Sequence, residues 1–161
     1  MEPPERCVVR RAGVLDLKAV HALHRRAFPP GVAFSRDVLE GLLRHSRSTC
    51  FMAEDARGPV GFAGAVEGAP QAARLWTLHV AARARGRGVG DVLMRRLDEV
   101  WRARGVRQVE LEVWRGNAAA IALYEKHGFE VTGRNDDAFS ALRPPGAFEM
   151  ARRFSAGSGP R

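Results

Sequence analysis

The chain has 161 residues, 45% of them apolar and 27% charged, a composition that fits one globular domain with a usable core. No apolar run approaches the roughly 18–20 residues that cross a bilayer, which argues against a membrane-spanning protein, and two cysteines, Cys7 and Cys50, are too few for a disulfide framework. The net charge of +8 asks for an anionic partner: nucleic acid, an acidic protein or a phosphorylated cofactor. The polar N-terminus Met1–Arg6 lacks the apolar stretch of a secretory signal. With thiols that suit a reducing compartment, the expected location is the cytoplasm.

Taken in chain order, Cys7–Arg10 reads as a short strand. Asp16 is placed to cap a helix over Leu17–Phe28, with Leu17, Val20, Leu23 and Ala27 on one face. Pro29-Pro30-Gly31 breaks that helix, and Ser35 caps a second one whose apolar positions are Val38, Leu39, Leu42 and Leu43. Strands follow at Thr49–Ala53, Val60–Val66 and Arg74–Val80, separated by Arg57-Gly58-Pro59 and Gly68-Ala69-Pro70. They form an antiparallel meander. A loop of glycine and arginine, Arg83–Gly90, leads into a helix over Asp91–Ala103 that Gly105 ends. Val106–Trp114 is a strand, Asn117 opens a helix that runs to His127, Gly128 stops it, and Phe129–Thr132 and Ala147–Ala151 are the last strands. There is no internal repeat. The expected organisation is one mixed α/β (α+β) domain over residues 1–154, with a disordered low-complexity tail over 155–161.

The segment Leu78–Asp91 is a strand end, a glycine-rich loop and a helix start. Such a junction binds anions: unpaired backbone N–H groups point outward, the helix dipole adds partial positive charge, and missing Cβ atoms allow close approach. It lacks the lysine of a nucleotide-binding P-loop, and read from Gly86 the third glycine of a dinucleotide fingerprint is replaced by Asp91. Residues 81–91 contain no aromatic side chain to stack on bases, so no nucleic-acid partner is expected. His21 and His24 lie three apart without further ligands, so no metal site is expected. On the strand over 106–114, Val109, Leu111 and Val113 share one face while Glu110, Glu112 and Trp114 share the other. Glu112 is thereby free to project into a cleft. Asn117 suits a helix N-cap, and Tyr124 follows it two turns along the same face.

The spacing Arg85-x-x-Gly88-x-Gly90 between a strand and a helix resembles the pyrophosphate loop of the GNAT superfamily of acyl-CoA-dependent N-acyltransferases. The run from Leu111 through Asn117 and Tyr124 to Gly128-Phe129 resembles that superfamily's RimI-type branch, whose members acetylate the α-amine of a ribosomal protein's N-terminal alanine. The resemblance covers about Leu78–Phe129 and is fainter over Val8–Phe28. It implies a GNAT fold: a central, mostly antiparallel mixed sheet of about seven strands flanked by about four helices. It implies acetyl-CoA as cosubstrate, with the backbone of Leu78, His79 and Val80 aligning the pantetheine and the segment Arg85, Gly86, Arg87, Gly88, Val89, Gly90 and Asp91 holding the pyrophosphate. The Asp91 side chain is expected to turn away or cap the helix. By the same resemblance Asn117 contacts the pantetheine arm, Glu112 is the general base, and Tyr124 is both a cofactor contact and the acid that protonates the departing thiolate.

The implied acceptor is an amine, foremost a protein or peptide N-terminal α-amine. Where the branch carries tyrosines after its penultimate strand, this chain has Asp136 and Asp137. These could instead attract a small cationic amine such as a polyamine or aminoglycoside. A non-catalytic acyl-CoA-binding module is the third reading. Neither monomer nor homodimer is favoured, and no membrane partner is expected.

Overall fold

The structure, a computed structural model, describes residues 6–155. Its elements run β1 Val8–Arg11, α1 Leu17–Ala27, α2 Arg36–Arg44, β2 Ser48–Asp55, β3 Gly58–Glu67, β4 Ala72–Val80, α3 Val89–Ala103, β5 Gln108–Trp114, α4 Ala118–Lys126, β6 Glu130–Asn135 and β7 Ala147–Arg153, with short 3-10 turns at Val14–Asp16 and Ala82–Ala84. The seven strands form one sheet in the order β1-β2-β3-β4-β5-β7-β6. Every neighbouring pair is antiparallel except β4 and β5, which run parallel. The mixed α/β organisation and the β2–β3–β4 meander read from the sequence are both present. No helix of the described residues is long and apolar enough to cross a membrane. The tail expected to be disordered falls, beyond Ser155, outside the described residues.

Strand alternation divides the core in two. On β2, Phe51 and Ala53 face one side while Cys50 and Met52 face the other. The first side packs on α3 and α4 through Leu93, Met94, Leu97, Trp101 and Tyr124. The second packs on α1 and α2 through Leu17, Val20, Leu23, Leu39, Leu42 and Leu43. Val38, read as part of the apolar face of α2, lies on the solvent side at 49% exposure. Ser35 does cap α2, its hydroxyl accepting from the Val38 N–H at 3.3 Å. Asp16 does not cap α1 with its side chain. It already has helical backbone angles as the last residue of the 3-10 turn, so its carboxylate reaches back to the Gly13 N–H at 2.9 Å. That carboxylate also accepts two bonds from Arg10, which holds its pKa below the usual range.

Three boundaries differ from the sequence reading in ways that matter for the site. Helix α3 starts at Val89 rather than Asp91, because Gly88 takes a left-handed conformation and serves as N-cap. Strand β5 starts at Gln108, since Val106 and Arg107 still turn toward the 70–72 loop through bonds to the Trp101 and Gln71 carbonyls. Strand β6 continues to Asn135, because the ladder with β7 runs on past an irregularity between Val131 and Gly133. Leu97 is fully buried between α3 and the sheet. Leu97→Ala is expected to lower unfolding free energy by about 2–5 kcal/mol, read as a lower midpoint at unchanged slope in urea denaturation.

Candidate active site

The parallel β4–β5 ladder pairs only Ala72–Leu75 with Gln108–Leu111. Strand β4 continues to Val80 and β5 to Trp114, but beyond Leu75 and Leu111 the two diverge. A bulge marks the point of departure: Gly64 on β3 pairs with Thr77 and Ala65 with Leu75, so Trp76 has no partner on β3. Between the splayed ends lies a cavity of about 600 Å³. The backbone groups of Leu78–Val80 that face away from β3 border it with no strand beside them.

One end of the cavity is the N-terminus of α3. The first intrahelical bond of that helix is Val92 N–H to Gly88 C=O, so the N–H groups of Val89, Gly90 and Asp91 have no helical acceptor. Gly86 and Gly88 both have positive φ, at 76° and 79°, which turns the loop tightly into the helix. A Cβ on Gly90 would stand 2.9 Å from Leu123, so glycine there lets α3 approach α4. Asp91 does turn away. Its carboxylate pairs with Lys126 at 3.0 Å and His127 at 2.9 Å, contacts that hold its pKa low. The negative charge at the helix start is thereby neutralised by α4.

Three more of the side chains singled out in the sequence, Glu112, Asn117 and Tyr124, line this cavity. Glu112 is half-buried and lines the wall from β5. Its Oε2 accepts from Asn135 Nδ2 at 3.2 Å, which fixes the carboxylate. Asn117 caps α4 by accepting the Ala120 N–H at 3.1 Å. Tyr124 lines the same cavity with its ring edge-on to Phe129. Burial pushes its phenol pKa well above the ordinary value, so at neutral pH it is protonated. Of the residues singled out in the sequence, Leu78, His79, Val80, Arg85, Gly86, Gly88, Val89, Gly90, Asp91, Glu112, Asn117 and Tyr124 all line this one cavity. Arg87 does not; it is exposed beside it.

The far end is walled by residues the sequence reading missed: Phe28, Val32 and Phe34 from the α1–α2 connection, and Phe139 and Leu142 from the β6–β7 loop. Asp136 and Asp137, read as residues that could attract a small cationic amine, are exposed and absent from the wall. Asp136 lies 3.6 Å from Arg134 instead. The signal for the aromatic wall was faint: phenylalanines in loops, where apolar side chains have no core to join.

A family model for the acetyltransferase (GNAT) family matches residues 17–129. The chain belongs to the GNAT family. A mycothiol acetyltransferase of Corynebacterium glutamicum is 39% identical over 77 residues, a match spanning 48% of this chain and 26% of that protein. This chain thus spans about a quarter of that relative's length. An L-methionine sulfoximine/L-methionine sulfone acetyltransferase of Pseudomonas aeruginosa is 29% identical over 150 residues, 78% of this chain and 81% of that protein. Among solved structures, the ribosomal-protein-S18-alanine N-acetyltransferase of Escherichia coli superposes with a TM-score of 0.84 at 25% identity, over 97% of this chain and 99% of that one. The GNAT fold expected from the sequence is therefore present.

Two buried imidazoles, His24 and His79, also line the cavity. His24 on α1 and His79 on β4 are 2% and 5% exposed, with ring centroids 4.9 Å apart. His24 Nε2 accepts the Phe34 N–H at 2.9 Å, so its proton sits on Nδ1, which has no partner among the described residues. His79 Nδ1 lies 3.3 Å from the Thr77 hydroxyl, and its Nε2 is likewise unpartnered. Burial drives both pKa values down, to about 4 for His24 and about 3 for His79; charge on His21 adds to the shift of His24, and charge on His24 to that of His79. Both are neutral at physiological pH. An unfolded histidine titrates near 6.5, so between that value and about 4 the unfolded chain binds more protons. Stability is therefore expected to fall as pH drops from 7 to 5.5, approaching about 1.4 kcal/mol per pH unit for each imidazole once below its unfolded pKa. Urea midpoints across that range test this, and the slope should be shallower in His24→Gln.

Proposed function

We propose that this chain is an acetyl-CoA-dependent N-acetyltransferase that passes the acetyl group directly to the α-amine of a protein or peptide. The observation that carries the reading is the convergence of an anion cradle, a carboxylate and a buried phenol on one cleft between splayed strands. The cradle fits a pyrophosphate: free N–H groups at the start of a 15-residue helix, glycines that admit close approach, and an aspartate whose charge is turned aside. The unpaired backbone of Leu78–Val80 fits an extended pantetheine laid along it as an extra strand, with Asn117 opposite. Bound there, acetyl-CoA supplies an activated thioester carbon.

The chain's own groups then do three things. Glu112, held by Asn135, takes the proton that the neutral amine sheds as its nitrogen bonds the thioester carbon. A backbone N–H near Val80 bonds the thioester oxygen as negative charge builds on it. As the new C–N bond forms and the C–S bond breaks, Tyr124 gives its proton to the leaving sulfur. The products are the amide and the free thiol of CoA. The α-amine suits this machinery because about 10–17% of it is neutral at pH 7, against about 0.04% for a lysine side chain. One half-buried carboxylate is then enough. The fold-wide likeness to an N-terminal alanine acetyltransferase supports a peptide acceptor. The relative named for methionine sulfoximine supports a second reading, a free amino acid as the α-amine. The expected location is the cytoplasm, and neither reading invokes a metal.

Glu112→Gln is expected to lower kcat by about 10²–10⁴-fold while calorimetry shows acetyl-CoA binding intact; wild-type turnover would remove Glu112 from the mechanism. Tyr124→Phe is expected to slow release of CoA thiol at unchanged acetyl-CoA affinity. An unchanged rate would leave that tyrosine as a packing residue only.

A further inference from the structure

The anion cradle at the start of α3 works only if the loop leading into it holds its shape. That loop, residues 81–88, contains Gly86 and Gly88, both at positive φ. Glycine loses more conformational freedom on ordering than any other residue, and a ligand that must order a loop gives up part of its binding free energy. The loop is tied at both ends by the protein's own groups. At the α3 end, Asp91 pairs with Lys126 and His127 of α4. At the β4 end, the ties run to the β2–β3 hairpin.

Three contacts make up that second set. The Ala81 N–H donates to the Val60 carbonyl at 2.7 Å. Val89 lies over Gly61, where a Cβ would stand 2.9 Å from its Cγ1. Between these two, Arg83 in the 3-10 turn Ala82–Ala84 reaches Asp55, the last residue of β2. Its Nη1 donates to Asp55 Oδ2 at 2.5 Å and its Nη2 to Oδ1 at 3.0 Å. The Arg57 N–H, in the hairpin turn, donates to the same Oδ1 at 2.8 Å, so the carboxylate is aimed from its own side. The Asp55 side chain is 5% exposed, and the bonds from Arg83 bring its pKa down to about 2. The pair is therefore ionised on both sides at neutral pH. Two parallel bonds between a planar guanidinium and a carboxylate fix orientation as well as distance. Ala84 and Arg85, next in the chain, line the cavity, whereas Arg83 and Asp55 are off its wall.

We propose that Asp55 is a positioning residue for the cosubstrate: through Arg83 it holds residues 84–88 in the anion-binding conformation, so that the pyrophosphate of acetyl-CoA meets a loop already set. The proposal rests on the acetyl-CoA reading above and extends it to a hairpin outside the cavity. The role of Arg83 is to carry the clamp into the loop, while Arg85 and the free N–H groups of α3 face the ligand. Without Asp55 the loop keeps its α3 anchor and loses the orientation of its β4 end. Binding then has to order it.

The test is calorimetry with acetyl-CoA, together with amide hydrogen exchange over residues 82–88, on wild-type protein, Asp55→Ala, Asp55→Asn, Arg83→Ala and the charge-exchanged double variant Asp55→Arg/Arg83→Asp. Asp55→Ala is expected to raise the Kd for acetyl-CoA by about 3–30-fold. Its loop amides should exchange faster than wild type in the free protein and return to the wild-type rate when acetyl-CoA saturates. Asp55→Asn should fall between the two, since its amide oxygen still accepts one bond without the charge. The double variant should recover part of the affinity that each single variant loses. If Asp55→Ala does not fold, Asp55→Asn and the double variant carry the test. Wild-type affinity and wild-type loop exchange in Asp55→Ala, even with a lower melting temperature, would overturn the positioning role and leave a stabilising ion pair. A loss in Arg83→Ala more than tenfold beyond that in Asp55→Ala, with no recovery in the double variant, would overturn it in favour of direct phosphate contact by Arg83. Wild-type protein that binds no acetyl-CoA would overturn the cosubstrate reading itself, and this proposal with it.

Discussion

The separation of β4 from β5 is the constraint on which the rest of this structure depends. Parallel strands joined by a crossover helix normally stay paired along their length, because each unpaired backbone group costs free energy unless something else satisfies it. Here the ladder stops at Leu75 and Leu111, and the bulge at Trp76 swings the end of β4 away. The separation opens a cleft through the middle of the sheet and leaves a strand edge inside it. An extended ligand laid on that edge would complete the sheet, which is the place the family resemblance gives to the pantetheine arm.

The two cores hold the two banks of that cleft. The core under α3 and α4 fixes the Gly86–Gly90 loop, Asn117 and Tyr124 on one bank. The core under α1 and α2 fixes the start of the Phe28–Phe34 connection. Glu112 is positioned from the sheet itself, by Asn135 two strands away across β7. A mutation in one core is thus free to disturb one bank more than the other.

Burial and charge are distributed to match the chemistry. Net charge is +8, yet the interior of the cleft is nearly neutral. Tyr124 keeps its proton because the ionised phenolate would be desolvated, and His24 and His79 stay uncharged for the same reason. The one carboxylate at the cradle, Asp91, is paired off by Lys126 and His127. That leaves Glu112, on the same cavity wall as the protonated Tyr124, as the one cavity-lining carboxylate without an ion pair among the described residues.

Much of this was legible in the chain alone because it is local. The Gly86–Gly90 spacing marks an anion site wherever a strand precedes and a helix follows. Alternation on β5 puts Glu112 opposite the core face, Asn117 reads as an N-cap, and Tyr124 falls on the same helical face seven residues later. What the sequence could not decide are contacts between residues far apart in it. The bond from Asn135 to Glu112 exists only because β7 lies between β5 and β6. The latch from His24 to Phe34 exists only because the α1–α2 connection folds back on α1, which no periodicity reports. Asp136 and Asp137 drew attention by charge and lie outside the cleft, while Phe139 and Leu142, in the same loop, line it. The side of a loop that faces a site is set by where its two ends are tied, and here that is a ladder at Asn135 and an indole at Trp114. Composition and spacing determine which groups the chain owns; only the packed tertiary structure determines which of them meet.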